Sequence, residues 1–565
     1  MLLNPKTESF DHLDETSREL IKKTIQFFED RGKERLKKDD HERIWYEDFL
    51  NFVKEEKLFA TFLTNQPGET GSIRWDTTRN CVINEILGFY GLSYWYTWQV
   101  TILGLGPIWM SGNDLVKTKT AELLQQGAIF AFGLSEKEHG ADLYSSEMKL
   151  TETTSGEYLA DGSKYYIGNA NKAALVSTFG KFDKSDDDYV FFVVDPQHEK
   201  YDLVKNIVNS QNYVAEYKLQ SYPVKEEDIL SKGRDAWDTS LNTVNVGKFN
   251  LGWASIGICT HAYYEALNHA SKRNLFNHYV TDFHHIKLIF VDAYVRLIAM
   301  KLFASRAIDY MRSASKKDRR YLLFNPMVKM KVTTQGEEVM DLLWDVIAAK
   351  GFEKDMYFEM AVRDIRALPK LEGTVHVNMA LIIKFMANYF FKPGQFPEIG
   401  SVNQPANDDF LFNQGATKGL SRIKFHDYKI AYNSINLPNI KIFKRQIRQL
   451  KILLAVARPG KEQIKDFDFL LNLGELFTLV VYGQLIIENT NLCKVDHDLV
   501  DQIFDFIIRD FSKFALNLHN KTNSTFLQRK ICKRMIQRPA VNTERFEKIM
   551  KNYVMSSANI YEMNK

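Results

Sequence analysis

A mostly helical α+β protein, with a β domain set between helical domains, is the fold class this chain predicts. Three observations carry the expectation. Residues Ser17 to Lys37 place apolar side chains at helical spacing among many charges. Between Ala128 and about Lys232 the pattern changes to short alternating and β-branched runs divided by turn residues. From Ala236 long helical patterns return and continue, with one loop-like interruption, to the end of the sequence.

Length and composition set the bounds. A chain of 565 residues is too long for one ordinary core, so three or four domains are expected. Hydrophobic content of 45% with 26% charged residues describes a soluble globular protein. The net charge of +3 gives no bulk argument for nucleic acid. Cys81, Cys259, Cys493 and Cys532 lie far apart and form no CxxC pair, so they read as reduced thiols rather than a disulfide frame or zinc site. The segment Met1 to Glu8 shows no basic-then-apolar pattern, and the expected location is the cytoplasm, with peripheral contact at a membrane left open. The most apolar window, Leu470 to Ile487, contains Asn472, Glu475 and Gln484 and reads as a buried helix.

The elements follow in order. Residues 1–127 form an N-terminal helical domain. Within it Ile86 to Met110 is apolar and aromatic on more than one face, as suits a helix packed on several sides. Gly112-Asn113 ends one element and Leu115 to Gln126 begins another. Residues 128–233 form a central β domain, expected to be antiparallel, with runs such as Tyr189 to Val194 and turns at Ser155-Gly156 and Asp161-Gly162. Residues 234–392 form a second helical domain. Its first helix is rich in small residues, Gly252, Ala254, Ser255 and Gly257, which allow close packing. Lys392-Pro393-Gly394 through Gly415 reads as a linker or surface loop, and residues 416–565 as an additional helical C-terminal domain.

Three segments carry chemistry: Glu372-Gly373-Thr374, Leu134-Ser135-Glu136-Lys137-Glu138-His139-Gly140-Ala141-Asp142, and Asp161-Gly162-Ser163-Lys164-Tyr165-Tyr166-Ile167-Gly168-Asn169. Two of them have a plain structural reading when taken alone: a surface Glu ending a helix for the first, and a polar turn opening a strand for the second. In this order and spacing they resemble the acyl-CoA dehydrogenase family of flavoproteins. The resemblance covers residues 1 to about 390, and the C-terminal extension is similar to that of the very-long-chain members. A carboxylate in a dry site makes a strong enough base to remove a proton beside a thioester. The resemblance implies that role for Glu372, with FAD as the cofactor and electron sink.

The resemblance also assigns cofactor positions. Ser135 takes the place of a hydroxyl on the flavin ring, and Gly140 and Ala141 that of a Gly-Ser pair near the phosphates, the serine hydroxyl being absent here. Tyr166 and Gly168 stand in a Trp-Ile-Thr-Asn pattern. Tyr166 keeps an aromatic surface, whereas Gly168 lacks the hydroxyl that bonds the flavin's reactive nitrogen. Arg273 and Phe276 match an Arg-x-x-Phe pair that reaches a partner subunit's dinucleotide; a guanidinium suits a pyrophosphate. An ordinary surface Arg and core Phe is the plain alternative. Asn277 and His284 depart from the family's Gly and Gln. Asp345 replaces a Gln, and Asn245 and Lys248 replace an Asp and an Arg. Gly351 lies in Ala348-Ala349-Lys350-Gly351-Phe352, a Gly-Gly-x-Gly-Phe-like turn, and Thr374 is expected near the flavin's phosphates or ribityl chain. No metal site is expected; His284-His285 has no carboxylate or Cys at ligand spacing.

The implied reaction is dehydrogenation of an acyl-CoA or acyl-carrier-protein thioester to a trans-2-enoyl product. An electron-transfer flavoprotein would receive the electrons, and the assembly would be a homodimer or homotetramer. An acyl-CoA oxidase-like enzyme is the neighbouring alternative, and a catalytically weak flavoprotein with a membrane- or nucleic-acid-binding role the more distant one. The run Ser434 to Gly460, with Lys441, Lys444, Arg445, Arg448, Lys451 and Arg458 and no acidic residue, either docks on the core with its charges solvated or lies on an anionic membrane. Being short and aromatic-poor, it argues against nucleic acid as a partner.

Overall fold

The computed structural model describes residues 1–66, 71–183 and 188–565. Two compact units emerge. One comprises Thr7–Asn250, Asn403–Lys418 and Met563–Lys565; the other comprises Met1–Lys6, Leu251–Val402 and Gly419–Glu562. The boundary falls inside the 40-residue helix Gly233–Lys272.

In the first unit, Asp14 caps the helix Glu15–Glu42 by accepting from the Ser17 amide. That helix kinks at Gly32, where φ is 74°. A Cβ there would sit 2.1 Å from the Lys565 carbonyl oxygen, so only glycine lets the last residue pass. The helix Leu92–Met110 is buried along nearly its whole length, with Trp95 and Trp98 fully enclosed, as its all-round apolar sequence requires. Asn113 caps the next helix, Asp114–Gln125, at the Val116 amide.

The β domain of this unit is an eight-stranded sheet: β1 (Phe130–Gly133), β2 (Lys149–Glu152), β3 (Tyr158–Gly168), β4 (Leu175–Phe182), β5 (Tyr189–Val194), β6 (Tyr201–Asn206), β7 (Val214–Val224) and β8 (Ile229–Lys232). The order is β6-β7-β3-β2-β4-β5-β8, with β1 also on β4. The expected antiparallel pairing holds for β2–β3, β3–β7, β4–β5, β5–β8 and β6–β7, with one correction. Both β1 and β2 run parallel to β4, so the sheet is mixed. The reason is topological: the β2–β3 hairpin reverses the chain before β4, which then runs in the same direction as β1 and β2. Strands β4 and β5 are buried at every position and therefore show no alternation. Leu150, Ala160, Val190, Val194 and Tyr217 belong to the core of the sheet.

The segment after Lys392 has no helix or strand until a short 3-10 turn, Asp409–Phe412. It is nonetheless anchored. Asn407 accepts from the Trp75 amide at 2.7 Å, Asp408 from the Thr77 amide at 2.6 Å, and Asp238 from the Thr417 hydroxyl at 2.6 Å.

The second unit is a helical bundle. His284–Arg312, Thr333–Ile347, Pro438–Val456, Phe467–Cys493 and His497–Asn520 are among its long members. Phe467–Cys493 is long and apolar enough to cross a membrane, but 78% of its most apolar window is buried within the protein. The close packing that small residues promised is present: a Cβ on Gly252 would meet Val328 at 2.5 Å. The basic helix spans Pro438–Val456 and buries Ile440, Phe443, Ile447, Leu450 and Leu453. Its neighbours are His497–Asn520 and Phe526–Met535, while Lys441, Lys444, Arg445 and Arg448 face solvent. The apolar stripe is thus spent on docking within the bundle.

Candidate active site

In the first unit, two of the three singled-out segments are tied edge to edge. The Ser135 hydroxyl donates to the Tyr165 carbonyl at 2.7 Å, and the Tyr165 amide donates to the Ser135 carbonyl at 3.0 Å. Beneath them Lys164 and Glu136 form a buried ion pair at 2.7 Å. Glu136 also accepts from the Ser146 hydroxyl and the Glu147 and Met148 amides. Burial raises the Glu136 pKa, but Lys164 and these donors outweigh it and hold the carboxyl below the usual glutamate range. The sequence singled out neither partner; together they form the rigid floor under Ser135 and Tyr165.

Tyr166 stands off this floor. Its φ is 66°, it lies at an irregularity in the β3–β7 register, and its side chain is 61% exposed. A bulky residue held at positive φ with its ring in solvent is an expensive arrangement that an aromatic ligand surface would explain. The turn at Gly140, Ala141 and Asp142 is exposed, and nothing lies within 4 Å of where a Gly140 Cβ would be. Gly140, at φ 53°, leaves that turn open to a phosphate. At the end of β3, Asn169 is clasped to the helix Leu92–Met110. It accepts from the Thr97 hydroxyl at 2.9 Å and donates to the Thr97 and Phe130 carbonyls at 3.1 Å each. Gly168 is thereby pressed against that helix, and Tyr96 and Val100 fill the space beside it.

In the second unit, Glu372 does not end a helix, as its sequence context suggested. The helix Tyr357–Ala367 stops earlier, and Glu372 lies in a bend with φ 51°, followed by Gly373 with φ 87°. Two successive left-handed residues need outside support, since a non-glycine residue there costs about 1–2 kcal/mol. Lys329 supplies it. This fully buried lysine sits in a π-helical turn, Val328–Val332, and donates to the Pro369 carbonyl at 2.6 Å and the Gly373 carbonyl at 2.5 Å. Asn378 adds donations to the Gly373 and Thr374 carbonyls at 3.0 Å each. Thr374 caps the helix Val375–Ile383 by accepting from the Val377 amide, so its hydroxyl has a structural task beside any ligand role. Glu372 is half-buried, and its Oε2 is enclosed by protein. Lys329 escaped the sequence reading. Its signal was two lysines, Lys329 and Lys331, inside an otherwise apolar run.

Arg273 and Phe276 belong to a two-stranded hairpin, Asn274–Leu275 with His278–Tyr279. Phe276 and Asn277 are its turn, both at positive φ. The core-Phe alternative is corrected: Phe276 is 87% exposed at the tip. Ala348 opens the turn that includes Gly351 at φ 54° and ψ −136°, a region suited to glycine. Gly351 is buried, whereas Phe352 is 69% exposed. Arg273 and Lys350 both surround His269; burial first, and then these cations, lower its pKa. Asp345 is exposed on the helix leading to this turn. His284 and His285 are exposed.

In the first unit, exposed Tyr166 and the open Gly140 turn fit a flavin dinucleotide; in the second unit, taken by itself, exposed Arg273 and Phe276 fit the surface of one. Gly168 and Asp345 are the positions whose own side chains do not match such a group.

Residues 235–387 match the family model described as acyl-CoA dehydrogenase, C-terminal domain. The short-chain specific acyl-CoA dehydrogenase of Megasphaera elsdenii is 22% identical over 385 residues, 65% of this chain and 97% of that protein. The mitochondrial very long-chain specific acyl-CoA dehydrogenase of Rattus norvegicus is 24% identical over 381 residues, 63% of this chain and 55% of that protein. Among solved structures, an acyl-CoA dehydrogenase complexed with FAD from Bacillus anthracis superposes with a TM-score of 0.75 at 16% identity. It covers 98% of this chain and 96% of its own, so the shared fold extends through the C-terminal helices.

Proposed function

We propose that the chain, as an FAD-dependent oxidoreductase of the acyl-CoA dehydrogenase family, oxidises an acyl thioester to the trans-2-enoyl thioester with Glu372 as the base. The observation that carries the proposal is the Glu372-Gly373 bend. A carboxylate-bearing residue is held at positive φ by a buried lysine and an asparagine amide that both donate to the Gly373 carbonyl. Strain of this kind persists where the surroundings over-determine it.

In this reading Glu372 removes the proton from the carbon next to the thioester carbonyl. Lys329 and Asn378 fix its backbone so that the carboxylate needs no reorganisation when the substrate arrives. The partly enclosed position of Glu372 limits water at its carboxylate. FAD, when bound, supplies the electron sink for the hydride that leaves the adjacent carbon. Ser135, Tyr166 and the Gly140-Ala141 turn would hold its ring and phosphates. Arg273, Phe276 and the Gly351 turn would meet the dinucleotide of a second copy of the chain, which makes the working assembly a homodimer or a dimer of dimers. An acyl-CoA is the substrate class, an electron-transfer flavoprotein the electron acceptor and the cytoplasm the location we infer.

Anaerobic mixing with a panel of acyl-CoAs tests the proposal. Bleaching of the visible flavin band by one chain-length class is expected. A protein that cannot be loaded with FAD would remove it.

A further inference from the structure

Gly168 is the one position in the flavin-site segments where the chain gives up a polar side chain next to the redox centre, and the structure shows what occupies the space. A Cβ at residue 168 would lie 2.7 Å from Tyr96 Cε1, 2.9 Å from Tyr96 Oη and 2.8 Å from Val100 Cγ2. All three distances are too short for a real side chain, so Gly168 and Tyr96 are two halves of one arrangement. Tyr96 and Val100 stand one turn apart on the helix Leu92–Met110 and present the same face to the end of β3. The placement is rigid, because Thr97 and Asn169, the neighbours of Tyr96 and Gly168, hold each other by hydrogen bonds in both directions. Tyr96 is only half-buried. Tyr166, with its exposed ring, is two residues from Gly168 along β3.

We propose that the Tyr96 phenol replaces the missing residue-168 hydroxyl and makes the hydrogen bond to the polar edge of the bound flavin ring. This rests on the reading of the protein as a flavoprotein. The hydroxyl comes from a helix rather than from the strand, which is why the strand sequence alone reads as a loss. A buried polar edge of a ligand left without a partner is costly, and a phenol can either donate or accept.

The test compares wild type, Tyr96→Phe and Gly168→Ala in the full-length protein loaded with FAD. The readouts are the visible flavin spectrum and the oxidised-to-reduced flavin ratio in equilibrium with a reference dye. Losing one hydrogen bond should shift the band and move the ratio by roughly 3- to 10-fold in Tyr96→Phe. Gly168→Ala keeps the phenol but pushes it aside, and should shift the band in the same way. A role in packing alone predicts superimposable spectra and a ratio changed by less than about twofold, and that result overturns the proposal while leaving the flavoprotein reading intact. Wild type that holds no FAD overturns both. If Tyr96→Phe does not fold, an unshifted spectrum in Gly168→Ala suffices to overturn it.

Discussion

The Lys329 side chain donates a hydrogen bond to the carbonyl oxygen of Gly373 at 2.5 Å, one residue beyond Glu372. The same Nζ reaches the Pro369 carbonyl, so one buried side chain closes the Pro369–Gly373 loop and holds its carboxylate-bearing residue at φ 51°. Lys329→Met should keep the flavin band and lower kcat by about 100-fold, because small misplacements of a reacting group cost about that much. Steady-state kinetics beside a visible spectrum would check it. Wild-type turnover would show that the clamp is dispensable.

The Glu136–Lys164 pair gives a pH prediction. Glu136 has a folded-state pKa below its ordinary value, through Lys164 and the surrounding donors, which outweigh burial. Its contribution to stability is therefore fully present above the ordinary glutamate pKa and is lost as pH falls through the lower folded value. Unfolding followed against pH should show an acid limb that flattens in Glu136→Gln. Lys164→Met leaves a buried carboxylate unpaired and should cost about 3–5 kcal/mol at neutral pH.

Ala348 occupies backbone space suited to glycine, with φ 54° and ψ −136°. Ala348→Gly should raise stability by about 1 kcal/mol, seen as a higher denaturant midpoint with unchanged slope. A lower midpoint would mean that the chain-entropy cost of glycine exceeds the strain relieved.

Phe276 is 87% exposed on a turn that strains it. If a second copy of the chain covers it, Phe276→Asp should fold normally, sediment as a smaller species than wild type and release FAD. A variant of wild-type size that keeps its flavin would contradict that role.

Much of this was legible in the sequence because local chemistry marks it. The helical period of Ser17 to Lys37, the β-branched runs after Ala128 and the buried helix around Leu470 to Ile487 each carry their own signal. The three motif segments were legible as segments. Other features depend on contacts between distant residues. The parallel pairing of β1 and β2 with β4 follows from strand order, which no local pattern encodes. Lys329 gave only the hint of a lysine in an apolar run, and its partners lie 40 and 44 residues away. Tyr96 was one aromatic residue among several until Gly168 was seen against it. Phe276 kept a core position as its plain alternative, because exposure is not written in a residue's type.

The central claim is that Glu372 takes the proton from the substrate. The most direct measurement is rapid anaerobic mixing of wild type and Glu372→Gln, both loaded with FAD, with the acyl-CoA that bleaches wild type fastest. Glu372→Gln should keep its flavin and bind the thioester, yet bleach slower by at least about 100-fold. Bleaching at the wild-type rate would remove Glu372 from the mechanism.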